Sequence, residues 1–378
     1  MAKRAERKEL KIDDNDQMGM SASVVNMDST FKVQGGIGIN AEGVRDVKTG
    51  ERLERQINPD DLKMETIIGR GACSSVQRCR HLRTNELFAL KRFNVYDRET
   101  RKQLVQEINT LYEVSCPSLI GFFGAYQKKG NIYVILENMD RGSLNDLIYN
   151  YDDMPEKVLA AITYQILWGL GYLHYEKRLH RDIKPSNILA NNSGEIKLTD
   201  FGIARELDDS NMASTIVGTF RYMSPGRLRG DPYGPPSDIW SLGVMLIECA
   251  ARSLPFPSSN TQIELAQALE ELEIDEMLPP DFSDEFCEMV RLCLAPAPED
   301  RPRAEQLLEG PWLEKFGVAD LDEAVAVTRT WLEDHPLAEG SVPSGLDASK
   351  MISTLHSECS DDSDGSYDSE EDAKAEPK

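Results

Sequence analysis

The chain has no apolar run long enough to cross a bilayer. Its longest, residues 239–251, falls short of the roughly 20 residues a spanning helix needs and contains Ser241, Gly243 and Glu248. A secretory leader is also missing. The first residues, Met1-Ala2-Lys3-Arg4-Ala5-Glu6-Arg7-Lys8, are charged and lead into nothing apolar. Cysteine is sparse, with seven residues, an odd number, scattered without a CxxC pair. That pattern argues against a disulfide framework or a zinc site and for reduced thiols in a cytosolic or nuclear setting. Positive charge is in deficit: 42 Lys and Arg stand against 65 Asp and Glu, for a net charge of −23. Phosphate neutralisation needs the opposite sign, so no nucleic-acid partner is expected. The expectation is a soluble intracellular protein, cytoplasmic and also compatible with the nucleus, without membrane insertion. Its 378 residues, 40% hydrophobic and 28% charged, suffice for one large domain or two moderate ones.

No internal repeat is visible, but charge is uneven. Residues 1–12 carry a net +3, and residues 357–378 a net −7 interleaved with serines. The tail reads as disordered, and residues 13–60, polar and Gly-rich, as an irregular leader. From residue 62 short β-branched or aromatic runs begin, at 65–68, 75–79, 87–93 and 132–136. A helical pattern at 98–114, with Leu104, Ile108 and Leu111 on one stripe, interrupts them. After Ser143 helices dominate, notably 158–175 and 237–252, the second apolar enough to be buried. Strands followed by helices predict an α+β chain in two lobes, a small strand-rich lobe with one helix and a larger helical lobe. The resulting division is a flexible leader at 1–61, a domain at 62–316, and a C-terminal stretch at 317–378. The last contains a further amphipathic helix at 320–333, packing on the larger lobe, before the acidic tail.

Four motifs carry chemistry. Ile68-Gly69-Arg70-Gly71-Ala72-Cys73-Ser74-Ser75-Val76 reads G-x-G-x-x-S-x-V between two expected strands. Its glycines let backbone N–H groups approach phosphates with no Cβ in the way. Fifteen residues after Val76 comes Ala89-Leu90-Lys91. A lysine on a buried strand face needs anions, and ATP phosphates with the helix carboxylate Glu107 would supply them. His180-Arg181-Asp182-Ile183-Lys184-Pro185-Ser186-Asn187 matches H-R-D-x-K-x-x-N, and Asp200-Phe201-Gly202 follows eighteen residues after Asp182. Phosphoryl transfer needs in-line positioning, a carboxylate for the hydroxyl proton and metal ions over the developing charge. Asp182 suits the base, Lys184 the γ-phosphate, and Asn187 with Asp200 the Mg²⁺ ions as hard oxygen ligands.

In this order and context the motifs resemble the eukaryotic protein kinase family over about residues 62–313. The resemblance implies the two-lobed protein kinase fold with ATP in the cleft. Glu137-Asn138-Met139 is then similar to the hinge that pairs with adenine, Leu136 to the gatekeeper, and Val76, Ala89 and Leu189 to the residues that sandwich the ring.

Within that family, Val217-Gly218-Thr219-Phe220-Arg221-Tyr222-Met223-Ser224-Pro225 resembles the V-G-T-x-x-Y-M-S-P run of MAP kinase kinases. Gly121-Phe122-Phe123-Gly124-Ala125-Tyr126 and Met139-Asp140-Arg141-Gly142-Ser143-Leu144 resemble the same subfamily. That implies dual phosphorylation of Thr and Tyr in a downstream MAP kinase and activation by an upstream MAP kinase kinase kinase. Ser210, Ser214 and Thr215 lie where the subfamily is switched on by phosphate. Ser210 pairs with either Ser214 or Thr215, and Arg181 or Arg205 is available to receive the charge. Lys3, Arg4, Arg7 and Lys8 followed by Leu10 and Ile12 resemble a MAP kinase docking motif, basic residues and then two alternating apolar ones. The rival readings are a pseudokinase scaffold and a kinase of another subfamily.

One position departs from the pattern. Gly226 stands where the family has a glutamate that pairs with an arginine, here Arg301. Either Glu299 or Asp300 takes over, or the activation segment is looser and basal activity low.

Overall fold

The computed structural model describes residues 31–33, 37–46, 49, 56–70, 74–94, 104, 108, 111–151, 154–200, 220–254, 262–270 and 274–337. Three short strands come first, β1 (Phe31–Val33), β2 (Ile37–Asn40) and β3 (Gly43–Asp46), forming an antiparallel sheet in the order β1-β2-β3. This corrects the expectation of an irregular leader at these positions. The Asn40 side chain accepts the N–H groups of Glu42 and Gly43 at 2.9 and 3.2 Å, closing the β2–β3 turn. Ile39 and Val44 are then fully buried. Both amide atoms of Gln56 also pair with the Val44 backbone at 2.7 Å, tying this sheet to the start of the domain.

β4 (Leu62–Arg70), β5 (Ser74–His81), β6 (Leu87–Asn94), β7 (Phe122–Lys128) and β8 (Asn131–Glu137) form an antiparallel sheet ordered β4-β5-β6-β8-β7. Four of these strands were expected; β7 was not, because its Gly124 and lone buried Ala125–Tyr126 pair blur the alternation. Leu104, Ile108 and Leu111 are helical and buried, on the expected stripe, while Tyr112 and Glu113 are exposed; the other positions of the expected helix up to 110 fall outside the described residues.

The larger lobe is built on α1 (Leu144–Asn150), α2 (Glu156–Tyr175), α3 (Pro235–Ala251) and α4 (Asp284–Cys293), with shorter turns between. Ser143 starts α1 with a capping box, and Pro235 and Pro236 start α3 where no N–H partner is needed. The apolar faces of α2 and α3 are continuous, and both helices are largely buried. α5 (Leu321–Asp334) is N-capped by Asp320 and lays Ala324, Thr328, Trp331 and Leu332 against α2. β9 (Gly142–Ser143), just before α1, pairs with β10 (Ile188–Ala190), which pairs with β11 (Ile196–Leu198), making a third small sheet at the junction of the lobes. No described helix is long and apolar enough to cross a membrane.

Candidate active site

β6 brings Lys91 to the floor of the small lobe, where its side chain is only 6% exposed. Its ammonium meets Asp200 Oδ1 at 2.6 Å, 109 residues away in sequence, and lies 5.1 Å above the Phe93 ring. The low-polarity surroundings alone would raise the Asp200 carboxyl. The ammonium groups of Lys91 and Lys184 overcome that and hold it below its ordinary value. Asp200 has φ of +60°, so the chain turns sharply on leaving β11.

The loop before β10 presents the second carboxylate. Asp182 Oδ2 meets Lys184 Nζ at 2.8 Å and accepts from Asn187 Nδ2 at 2.8 Å. The same Asn187 nitrogen also donates to the Asp182 carbonyl at 2.8 Å. With its amide nitrogen committed, Asn187 has its side-chain Oδ1 as the atom to offer a cation. Thr199 N–H donates to the Asn187 backbone carbonyl at 3.0 Å, tying the segments that carry Asn187 and Asp200. Carboxylate and amide oxygens are the ligands a hard divalent cation prefers, and this donor set fits such an ion.

A residue that the motifs did not reveal holds the loop. Asp238, fully buried in the first turn of α3, accepts from His180 N–H at 3.0 Å and Arg181 N–H at 2.8 Å. Tyr233 Oη donates to it at 2.5 Å, and His174 Nε2 lies 2.9 Å away. Burial would raise this carboxyl, but the His174 contact and the other donors bring it below its ordinary value. The only signal in the sequence was an aspartate opening an otherwise apolar helix. Arg181 has φ of +70°, a strained geometry that the two backbone bonds to Asp238 sustain.

Above the loop, Val76 pairs with Lys91 and Ala89 with Leu136 in the sheet register. Ala89, Leu136 and Met139 are buried, while Val76 and Leu189, from opposite lobes, are partly so. Ile68, Gly69 and Arg70 end β4, and Ser74 begins β5. Glu137 turns its carboxylate away from this slot, to Lys197 Nζ at 2.9 Å and Gly121 N–H at 3.2 Å; its backbone alone faces the hinge role. Gly71, Ala72, Glu107, Ser210, Ser214, Thr215, Lys3, Arg4, Arg7, Lys8, Leu10 and Ile12 lie outside the described residues.

Arg301 is 5% exposed and stacks 4.8 Å from the Trp240 ring. Neither Glu299 nor Asp300 pairs with it. Instead the carbonyls of Ala295, Pro236 and Pro296 accept its protons at 2.7, 3.2 and 3.0 Å. The substitute-acid expectation is thereby corrected: both acids sit exposed on the tight turn before Arg301. Burial pulls the guanidinium down to about 10, outweighing the opposing charges of Cys293 and Glu299.

Residues 62–313 match the protein kinase domain family. Mitogen-activated protein kinase kinase 1 of Arabidopsis thaliana is 36% identical over 326 residues, covering 82% of this chain and 92% of that protein. Mitogen-activated protein kinase kinase 3 of the same plant is 42% identical over 274 residues, covering 71% of this chain and 52% of the relative. The dual specificity mitogen-activated protein kinase kinase dSOR1 of Drosophila melanogaster is 37% identical over 302 residues, 73% of this chain and 76% of that one. The chain belongs to the protein kinase family, as an ATP-dependent enzyme that uses a divalent metal, and within it to the MAP kinase kinases.

Proposed function

We propose that the chain transfers the γ-phosphoryl group of Mg²⁺-ATP to the Thr and Tyr of a MAP kinase activation loop. Asp182 accepts the proton of the attacking hydroxyl. A bond then forms from that oxygen to the γ-phosphorus as the bridging oxygen of ADP departs. Lys184, 2.8 Å from the same carboxylate, neutralises charge on the transferred group, and Lys91 orients the α- and β-phosphates, with Glu107 as its helix partner. Asn187 and Asp200 would hold the Mg²⁺, which when bound supplies charge stabilisation to the phosphates. Adenine lies between Val76, Ala89 and Leu189, beside the backbone of Glu137 and Met139, and the loop carrying Ile68, Gly69, Arg70, Gly71, Ala72 and Ser74 is assigned to cover the nucleotide and its phosphates. The observation that carries this reading is the Asp182–Lys184–Asn187 cluster, joined through Thr199 to Asp200.

Phosphorylation among Ser210, Ser214 and Thr215 by a MAP kinase kinase kinase switches the enzyme on. The basic leader with Leu10 and Ile12 docks the MAP kinase, and the protein works in the cytoplasm. Protein carrying Asp at Ser210 and Thr215, with Mg²⁺-ATP and a panel of catalytically dead MAP kinases, should phosphorylate both activation-loop residues. Asp182→Asn should abolish transfer. Phosphate on generic Ser/Thr substrates alone would discard the substrate assignment, and undiminished transfer by Asp182→Asn would discard the base.

A further inference from the structure

We infer that Arg141 is a positioning residue for the nucleotide, one that ties the hinge and the strand flooring the adenine slot to α5, the last of the described helices. The inference rests on adenine lying between Val76, Ala89 and Leu189, as proposed above.

Arg141 follows Met139 by two residues and is 6% exposed. Its guanidinium makes four hydrogen bonds, all to neutral acceptors. Nε donates to Asn192 Oδ1 at 2.5 Å, Nη1 to the His335 carbonyl at 2.6 Å and Tyr151 Oη at 3.2 Å, and Nη2 to the Leu332 carbonyl at 2.6 Å. The last carbonyls of a helix lack intrahelical partners and carry the negative end of its dipole. α5 ends at His335 with φ of −123°, without a left-handed glycine cap. The Leu332 carbonyl accepts the capping His335 N–H at 3.3 Å. Arg141, 191 residues before Leu332 in sequence, adds a second, charged donor to it and one to the His335 carbonyl.

The same short segment grips the floor of the slot. Arg141 N–H donates to the Ala190 carbonyl at 3.0 Å, and β9 pairs with β10 through Leu189 and Ala190. Asp140 accepts from the Asn192 backbone at 2.8 Å and from its side-chain amide at 2.5 Å. Asn192 therefore connects both Asp140 and Arg141 to the turn after β10. α5 presses on that turn from the other side. A Cβ on Gly194 would lie 2.4 Å from the Val325 carbonyl and 2.5 Å from Arg329 N, so no side chain fits between. Trp331 packs edge-on against Tyr151 at 5.4 Å and beside His335 at 5.0 Å.

Hinge exit, slot floor and the end of α5 are thus one block with Arg141 at its centre. α5 lies beyond the residues that match the kinase domain, so a segment outside that domain sets the spacing of the nucleotide slot. None of the groups proposed for transfer touches Arg141. Loosening the block should weaken nucleotide binding and leave the chemical step in place.

The test compares full-length wild type with Arg141→Ala, Arg141→Lys, Trp331→Leu and the Arg141→Ala/Trp331→Leu double variant. Dissociation constants for fluorescent Mg-ADP are read beside KM for ATP and kcat at saturating ATP, with the melting temperature checked for each. Arg141→Ala and Trp331→Leu should each weaken binding roughly tenfold, a change of about 1.4 kcal/mol, with kcat within twofold of wild type. The double variant should be no weaker than the worse single one, because both break one block. Arg141→Lys, which can still reach one carbonyl, should recover part of the loss. Unchanged affinity in a folded Arg141→Ala overturns the inference, as do additive losses or a fall in kcat alone. If Arg141→Ala fails to fold, Arg141→Lys and Trp331→Leu decide by the same criterion. Ala89→Leu, which fills the slot itself, separates the two layers. If it leaves nucleotide binding intact, the adenine placement fails; if it weakens binding and the Arg141 variants do not, only the positioning role fails.

Discussion

Glu248 shows how a single buried group can set the pH response of the larger lobe. It is fully buried on α3 and accepts from Tyr222 Oη at 2.6 Å and Tyr149 Oη at 3.4 Å. Burial pushes its carboxyl up to about 7, opposed by those two hydroxyls and by the Arg221 charge. The folded-state value thus lies above the ordinary 4.5, so folding favours the protonated form. That contribution is complete below pH 4.5 and is lost as pH rises through 7, an effect of roughly 3 kcal/mol. The wild-type melting temperature should therefore fall between pH 5 and pH 8, and Glu248→Gln should flatten the fall. Equal slopes in the two proteins would show that Glu248 does not titrate in this range. Such a residue is illegible in a sequence, where one glutamate in an apolar helix looks like any other. Asp238 escaped notice for the same reason. Asp182, Lys184, Asn187 and Asp200 were legible because their chemistry requires them at close sequence spacing, whereas an anchor's partners come from distant elements.

Among elements, the short helix Pro225–Leu228 carries the position, Gly226, at which the sequence departs from the pattern it resembles. Gly226 opens no ion pair, and Arg301 rests on three carbonyls. A Cβ at position 226 would sit 3.0 Å from Asp231 Oδ2, an exposed carboxylate that can swing aside. Gly226→Glu should give the buried guanidinium a charge partner, raise the melting temperature and lift turnover of the unphosphorylated enzyme. A charged hydrogen bond contributes about 1.5–3 kcal/mol. Gly226→Ala, which adds only the Cβ, should do neither. Unchanged basal turnover in Gly226→Glu at a raised melting temperature would separate stability from activity and remove the proposed link to low basal activity. The strands β4, β5, β6 and β8 were legible from their β-branched runs. β1–β3 were not, because Ile39 and Val44 are isolated apolar positions and the β2–β3 turn owes its geometry to Asn40 and the Gln56 clamp. Those are tertiary facts, which no local period encodes.

At the scale of the whole molecule the described residues form two apolar clusters of unequal reach. One runs from Ala89, Phe93 and Val134 through Leu119 and Leu198 into α2 and α3. The other, with Leu62, Cys79, Phe88, Leu90, Tyr126 and Ile135, belongs to the five-stranded sheet alone. Lys91 of β6 and Asp200, just after β11, meet at 2.6 Å as a charge pair, and Lys184 with Asp182 forms a second pair. Taking charges out of water is costly, and each pair offsets part of that cost for its partners. Nucleotide phosphates would meet the two lysines, and a divalent cation would meet the carboxylate of Asp200, so each incoming charge finds a group of opposite sign already in place. Binding to the folded state alone stabilises it by about 2.7 kcal/mol at one hundred times the dissociation constant. Saturating Mg²⁺-ATP should therefore raise the melting temperature by several degrees, and the same ATP with excess chelator should raise it much less. Asp200→Asn should remove most of the metal-dependent part and leave the part that ATP produces alone. An equal rise with and without metal, or an unaltered metal effect in Asp200→Asn, would take the cation away from this carboxylate and leave the Lys91–Asp200 pair a purely structural bridge between the lobes.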